Sequence, residues 1–116
     1  MSNPRLIAVL IFSFIFIRLA EAHAFLDHAD PKVGSTIHDP PTEVTVWMTE
    51  SLEAAFSRVQ VFDVKGVEVD RKDTRVSGAI MAVSLQKLPA GTYHVSWQAV
   101  ATDTHRTAGT FDFTIQ

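Results

Sequence analysis

Thr92-Tyr93-His94-Val95-Ser96-Trp97-Gln98 is the stretch whose reading sets the fold. Tyr93, Val95 and Trp97 occupy alternate positions. Successive side chains of a strand point to opposite faces, so these three face inward and His94 faces solvent. The same period of two runs through Glu43-Val44-Thr45-Val46-Trp47-Met48, with Val44, Val46 and Met48 on one side, and through Ser57 to Phe62, with Val59 and Val61 on one face. It returns in Thr110-Phe111-Asp112-Phe113-Thr114-Ile115, where Phe111, Phe113 and Ile115 share a face. Alternation of this kind marks half-buried strands and not helices. Ala79 to Leu85, with Ile80, Val83 and Leu85, is a further apolar strand. Asp63 to Gly66 reads as a hairpin turn into a strand at Val67-Glu68-Val69. Asp30-Pro31 with Gly34, Asp39-Pro40-Pro41 and Leu88-Pro89-Ala90-Gly91 supply the other turns. Glu50 to Phe56 is long enough for one helical turn only. The result is an all-β chain forming a single β-sandwich or Greek-key barrel. Trp47, Trp97, Phe111 and Phe113 read as core aromatics, each burying a large apolar area.

Outward from these strands, the amino-terminal end has a different character. Arg5 precedes an apolar run from Leu6 to Ile17, and the segment closes on Ala20-Glu21-Ala22. A basic start, a short apolar stretch and small residues at the -3 and -1 positions are the layout of a secretory signal. The run falls short of the ~20 apolar residues that span a bilayer. Cleavage after Ala22 is therefore expected, giving residues 1–22 as signal peptide and 23–116 as the exported domain. The whole chain carries a formal charge of −3; without Arg5, Arg18 and Glu21 the exported part carries −4, from 8 basic and 12 acidic residues. Such a balance argues against a nucleic-acid partner, which requires a basic face.

The chain contains no cysteine. Thiolate zinc sites, redox dithiols, cysteine nucleophiles and blue-copper centres are thereby excluded. A metal would have to be held by nitrogen and oxygen, or by the thioethers of Met48 and Met81. Cleavage after Ala22 would expose His23 as the first residue. Its α-amine and ring Nδ1 could close a six-membered chelate, and the amine titrates near pH ~7.7–8, so a metal can displace its proton at neutral pH. A second donor pair is Asp103 and His105 in Thr102-Asp103-Thr104-His105. Two residues apart in extended chain, they project to one side. Three nitrogens and one oxygen in a tetragonal plane favour Cu(II), and zinc in a tetrahedral arrangement stays open on ligand type.

The motifs His23-Ala24-Phe25-Leu26 with Asp30-Pro31 and Gly34, Pro41 to Val46 running into Thr49-Glu50-Ser51-Leu52, and Ala55-Phe56-Ser57-Arg58-Val59 resemble those of CopC-type copper resistance proteins. So do Leu88 to Trp97, Thr102 to His105 and Gly109 to Phe113. The resemblance spans essentially the whole exported part. It implies a periplasmic, immunoglobulin-like Greek-key β-barrel or sandwich of CopC type that binds one Cu(II) per chain. His23, Asp103 and His105 would be the ligands, with Glu50 as an outer or weak axial group. It further implies a copper carrier or buffer for tolerance or delivery, a CopD-type membrane copper transporter as recipient, and no enzymatic role; a monomer is expected. Some members carry a Cu(I) site in a methionine-rich loop, whereas Phe62 to Ile80 holds no methionine here. This marks the subtype with the Cu(II) site alone.

Two other readings compete: a copper-dependent oxidative enzyme of the histidine-brace type, and a metal-free immunoglobulin-like interaction domain. Among the remaining histidines, His94 and His38 are expected in solvent, and His28 is a candidate for a minor metal role. Arg106 is read either as a solvated charge or as a partner of Asp103.

Overall fold

The computed structural model describes residues 24–116. The expected signal peptide and His23 lie outside the described residues. Eight strands follow in order: β1 (Leu26–Asp30), β2 (Thr36–Ile37), β3 (Glu43–Met48), β4 (Arg58–Phe62), β5 (Arg75–Ser77), β6 (Ile80–Ser84), β7 (Gly91–Val100) and β8 (Arg106–Ile115). A single 3-10 turn at Ala54–Phe56 separates β3 from β4. The strands form two four-stranded sheets, one in the order β1-β3-β6-β5 and the other β2-β8-β7-β4. Of the two forms expected, the molecule is the sandwich.

Alternation in sequence becomes a two-sided core. From the second sheet Val59, Val61, Tyr93, Val95, Trp97, Phe111, Phe113 and Ile115 point inward; from the first, Val44, Val46, Met48, Met81 and Val83 meet them. Each such side chain contributes roughly 1.5–3 kcal/mol on leaving water. Met48 and Met81 are both buried in this core, so their thioethers serve packing. Tyr93 stacks on Phe113 at a centroid distance of 5.5 Å, and its hydroxyl donates to the Pro89 carbonyl at 2.6 Å.

Three sequence expectations need correction. Trp47 is not a core residue: it lies on the outer face of β3, half-buried, with the His28 ring stacked on it at 4.4 Å. Because Val44, Val46 and Met48 take the inner face, parity alone sends Trp47 outward. Ile80 is 38% exposed for the same reason, and Met81 takes the inward position. Val67 to Val69 does not form a strand. Asp63 Oδ1 accepts from the amides of Lys65 and Val67 and fixes a turn with Gly66 in the left-handed region. Beyond it the chain crosses between the sheets: the Val69 amide donates to Val61 of β4, while the Val69 carbonyl accepts from Gln86 just past β6. A crossing segment cannot keep one ladder.

That crossing segment also closes the free edge of β4. The buried Asp70 accepts from the Val61 amide at 2.8 Å, and Thr74 Oγ1 accepts from the Val59 amide at 3.2 Å. Side chains here stand in for a missing neighbour strand.

The β7–β8 hairpin pairs from Gly91 with Ile115 to Val100 with Arg106. Its tip, residues 101–105, emerges at one end of the sandwich. The seat of the tip is fixed from below. The Val100 amide donates to the buried Ser57 hydroxyl at 3.0 Å, the Glu53 amide donates to the Val100 carbonyl, and Leu52 bridges to Ala101. β1 contains a bulge between Leu26, paired with Met48, and His28, paired with Trp47. The extra residue, Asp27, shifts the alternation, so that Ala24 is buried on one side of it and Ala29 on the other.

Within the hairpin Trp97 lies opposite Gly109, and a β-carbon on Gly109 would sit 2.5 Å from the indole. Gly109→Ala must therefore displace the ring, at a cost of about 1–3 kcal/mol. We expect the melting temperature of the metal-free protein to fall by about 4 °C or more. Tyr93, the one tyrosine of the chain, has its phenol pushed above 10.0 by burial and, secondarily, by the Asp63 carboxylate. Stability that depends on the protonated phenol is complete below pH 10.0 and is lost as pH rises through the raised folded-state value. Ultraviolet titration of the folded protein should place the tyrosinate transition above that of the unfolded chain.

Candidate metal centre

Three segments converge on the end of the sandwich that carries the hairpin tip. They are the start of the described chain at Ala24-Phe25, the residues after β3 from Thr49 to Glu53, and the tip itself. Thr102 donates its amide to the Ser51 carbonyl at 3.1 Å, joining the second and third. The first is tied to the second and to β8 just beyond the tip. Phe25 donates its amide to Thr49 Oγ1 at 2.9 Å and accepts from the Thr49 amide at 2.8 Å. The Ala24 carbonyl accepts from the Thr107 hydroxyl of β8.

The tip is a tight turn and not the extended chain expected from sequence. Thr104 donates to the Ala101 carbonyl at 2.8 Å, and Ala101 donates to the His105 carbonyl at 3.0 Å. Closing so short a loop places Thr104 at φ 76. For a β-branched residue the left-handed region is strained. The turn nevertheless brings Asp103 and His105 together. Asp103 Oδ1 accepts the His105 amide at 3.1 Å, and Asp103 Oδ2 lies 3.0 Å from His105 Nδ1. The two side chains are 38% and 46% exposed respectively, so solutes can reach them. An ion pair with this exposure contributes roughly 0–1 kcal/mol, too little to justify a strained turn on stability grounds alone.

Glu50 is exposed, one residue from the Ser51 carbonyl that holds Thr102. Among the described residues no group of three or more His, Asp and Glu side chains gathers closely enough to hold a metal. Asp103 and His105 are therefore a pair, to which His23, outside the described residues, was the expected third member. His28 stands apart from this pair on the outer face of the first sheet, bonded to Asp27 Oδ2 at 2.6 Å and stacked on Trp47. His94 is exposed on β7 as expected and bonds Asp112 across the hairpin at 2.6 Å. His38 is exposed in its turn, and Arg106 is exposed at the start of β8. Thr49 and Thr107, which hold the first described residues, were not singled out from sequence. Threonines in strands are too common to carry a signal, and their role depends on which segments meet.

With this geometry in place, the comparison with known proteins is decisive for the family. Residues 26–116 match the model of the CopC domain. The chain belongs to the CopC family. Over 113 residues it is 30% identical to the copper transport protein CutJ of Bacillus subtilis, an alignment that covers 94% of this chain and 21% of CutJ. The chain thus spans about a fifth of the length of that relative. Among solved structures, it superposes on CopC from Methylosinus trichosporium OB3b with a TM-score of 0.76 and 23% identity, covering 81% of this chain and 94% of the other. It superposes on PcoC, a methionine-rich copper resistance protein from Escherichia coli, with a TM-score of 0.70 and 28% identity, covering 82% and 100%. The CopC sandwich is therefore the fold of this chain.

The strain in the tip of this CopC domain is measurable. Thr104→Gly removes a left-handed cost of roughly 1–2 kcal/mol against the roughly 0.5–1 kcal/mol that glycine's freedom costs on folding. We expect the metal-free variant to be more stable than the parent by up to about 1 kcal/mol, read from denaturant midpoints.

Proposed function

We propose that this CopC-family protein is an exported, periplasmic copper carrier that holds one Cu(II) ion and hands it to a membrane copper transporter of the CopD type. The observation that carries the reading is the Asp103–His105 pair, presented on a strained turn beside the anchored start of the domain. In this reading cleavage after Ala22 makes His23 the first residue. The ligands are the His23 amine and ring, an Asp103 oxygen and a His105 ring nitrogen, with Glu50 as an outer or weak axial group.

The donor set suits the cargo. Nitrogen and carboxylate donors in a tetragonal plane favour Cu(II), and no thiolate is present to draw Cu(I). Two donors each about 2.0 Å from one ion and at right angles to each other lie roughly 2.8 Å apart. The 3.0 Å between Asp103 Oδ2 and His105 Nδ1 is close to that bite. An ion bound there would displace the proton between the two atoms, and the imidazole would turn so that its lone pair points at the ion instead of at the carboxylate oxygen. Loading must then release protons, and acid must reverse it. The partial exposure of the pair suits a carrier, which has to receive its ion and give it up. Burial of Met48 and Met81, together with the lack of methionine from Phe62 to Ile80, supports a single Cu(II) site without a Cu(I) partner. CutJ is named a copper transport protein and is matched by this chain over about a fifth of its length. That supports a role in copper transport.

Exported protein should begin at His23 by intact mass and gain the mass of one copper when Cu(II) is added. Its electron paramagnetic resonance spectrum should be tetragonal with nitrogen and oxygen donors. Asp103→Ala and His105→Ala should each weaken binding by more than the roughly 10–100-fold that loss of an outer supporting group costs. His23→Ala keeps the amine and loses the ring, and should also bind more weakly. Affinity should fall as the pH is lowered and the amine and imidazoles take up protons. Unchanged affinity in His105→Ala, or an exported chain starting at another residue, would remove the basis of the assignment.

A further inference from the structure

The peptide group between Ala24 and Phe25 is held at both of its polar atoms. Its carbonyl oxygen, on Ala24, accepts from the Thr107 hydroxyl; its amide, on Phe25, donates to Thr49 Oγ1 at 2.9 Å. A peptide group is planar, so fixing both atoms fixes its orientation as well as its position. The two threonines come from different halves of the sandwich. Thr49 directly follows β3 of the first sheet, and Thr107 lies in β8 of the second, paired with Ala99. Beneath the grip the Ala24 side chain is 0% exposed, and the Phe25 carbonyl accepts from the Thr49 amide. A segment at the margin of a domain is ordinarily loose unless tied down; this one is tied by two side chains that serve no strand ladder.

We propose that Thr49 and Thr107 are positioning residues that hold the amino-terminal copper ligand in reach of Asp103 and His105. Whatever precedes Ala24 is joined to this fixed unit by one covalent link, with consecutive α-carbons about 3.8 Å apart. Thr107 is two residues beyond His105, and Thr49 neighbours Glu50 and Ser51, to which the turn is bonded through Thr102. Each threonine therefore couples the start of the chain to one of the two segments that frame the Asp103–His105 pair. Without them, the ordering of the first residue would have to be supplied by the metal at each binding event, and the apparent affinity would fall by that amount.

The inference rests on the copper reading for its cargo, and its test keeps the two separable. Wild-type protein, Thr49→Val, Thr107→Val, the double valine variant and the corresponding serine variants are titrated with Cu(II). Each valine should weaken binding about tenfold, the change that loss of one hydrogen bond corresponds to, and broaden or alter the paramagnetic resonance signature. The serines, which keep the hydroxyl, should retain wild-type values. In metal-free protein the Phe25 amide should exchange faster with solvent in Thr49→Val, while the domain stays folded with its melting temperature lowered by no more than about 10 °C. Valine variants that bind copper as tightly as the wild type, with the same spectrum, overturn the role given to the threonines and leave the copper site standing. A loss shared equally by serine and valine also overturns it, since the hydroxyl would not be the cause. Wild-type protein that takes up no Cu(II) overturns the copper reading and the positioning role with it.

Discussion

The register of the β7–β8 ladder is the constraint from which the rest of the molecule follows. Because side chains alternate, a slip of one residue would turn Tyr93, Val95 and Trp97, or Phe111, Phe113 and Ile115, out of the core. Gly109 opposite Trp97 suits the same register, since a β-carbon at that position would sit 2.5 Å from the indole. The same pairing decides the geometry at the end of the sandwich. With Val100 opposite Arg106, only five residues remain to reverse the chain, and so short a loop forces Thr104 into the left-handed region. Core packing and the presentation of Asp103 and His105 are thus one problem with one solution.

The stabilising and presenting parts of the molecule are nevertheless separate in space. Among the described residues the interior is almost wholly apolar, and the two buried polar residues, Ser57 and Asp70, both bond to backbone groups. Ionisable pairs such as His94–Asp112 and Arg75–Glu43 are on the outside and exposed, where each contributes little. A domain without cysteine depends on that apolar interior. Strain at Thr104 can be tolerated because, of the tip residues, only Ala101 belongs to the core, and Thr104 itself is exposed.

Most of the architecture was legible in sequence because the period of two is a local signal. β3, β4, β7 and β8 follow it closely, while β6 was readable only as an apolar run. What was not legible depended on the third dimension. Val67 to Val69 has the composition of a strand, yet it crosses between sheets and bonds to both. β5 is three residues in a charged stretch and exists because Arg75, Val76 and Ser77 lie against β6. Trp47 reads as core by size, and only the parity of its neighbours places it outside. At the candidate site, the residue types Asp103 and His105 were readable, but an extended chain was assumed where a turn closes them through Asp103 Oδ1 and the His105 amide. The grip of Thr49 and Thr107 on one peptide group involves three segments distant in sequence, and no local pattern encodes it.

The covering of β4 has a consequence for life at high concentration. An uncovered outer strand is a template on which another chain can lay a strand of its own, and polymers grow that way. Here the amide hydrogens that a newcomer would need at Val59 and Val61 are already taken by Thr74 and Asp70. These are short side chains, and they offer no onward row of donors for the next molecule to copy. This flank of the sandwich therefore ends the lattice of hydrogen bonds instead of extending it, without a disulfide or a covering helix to do so.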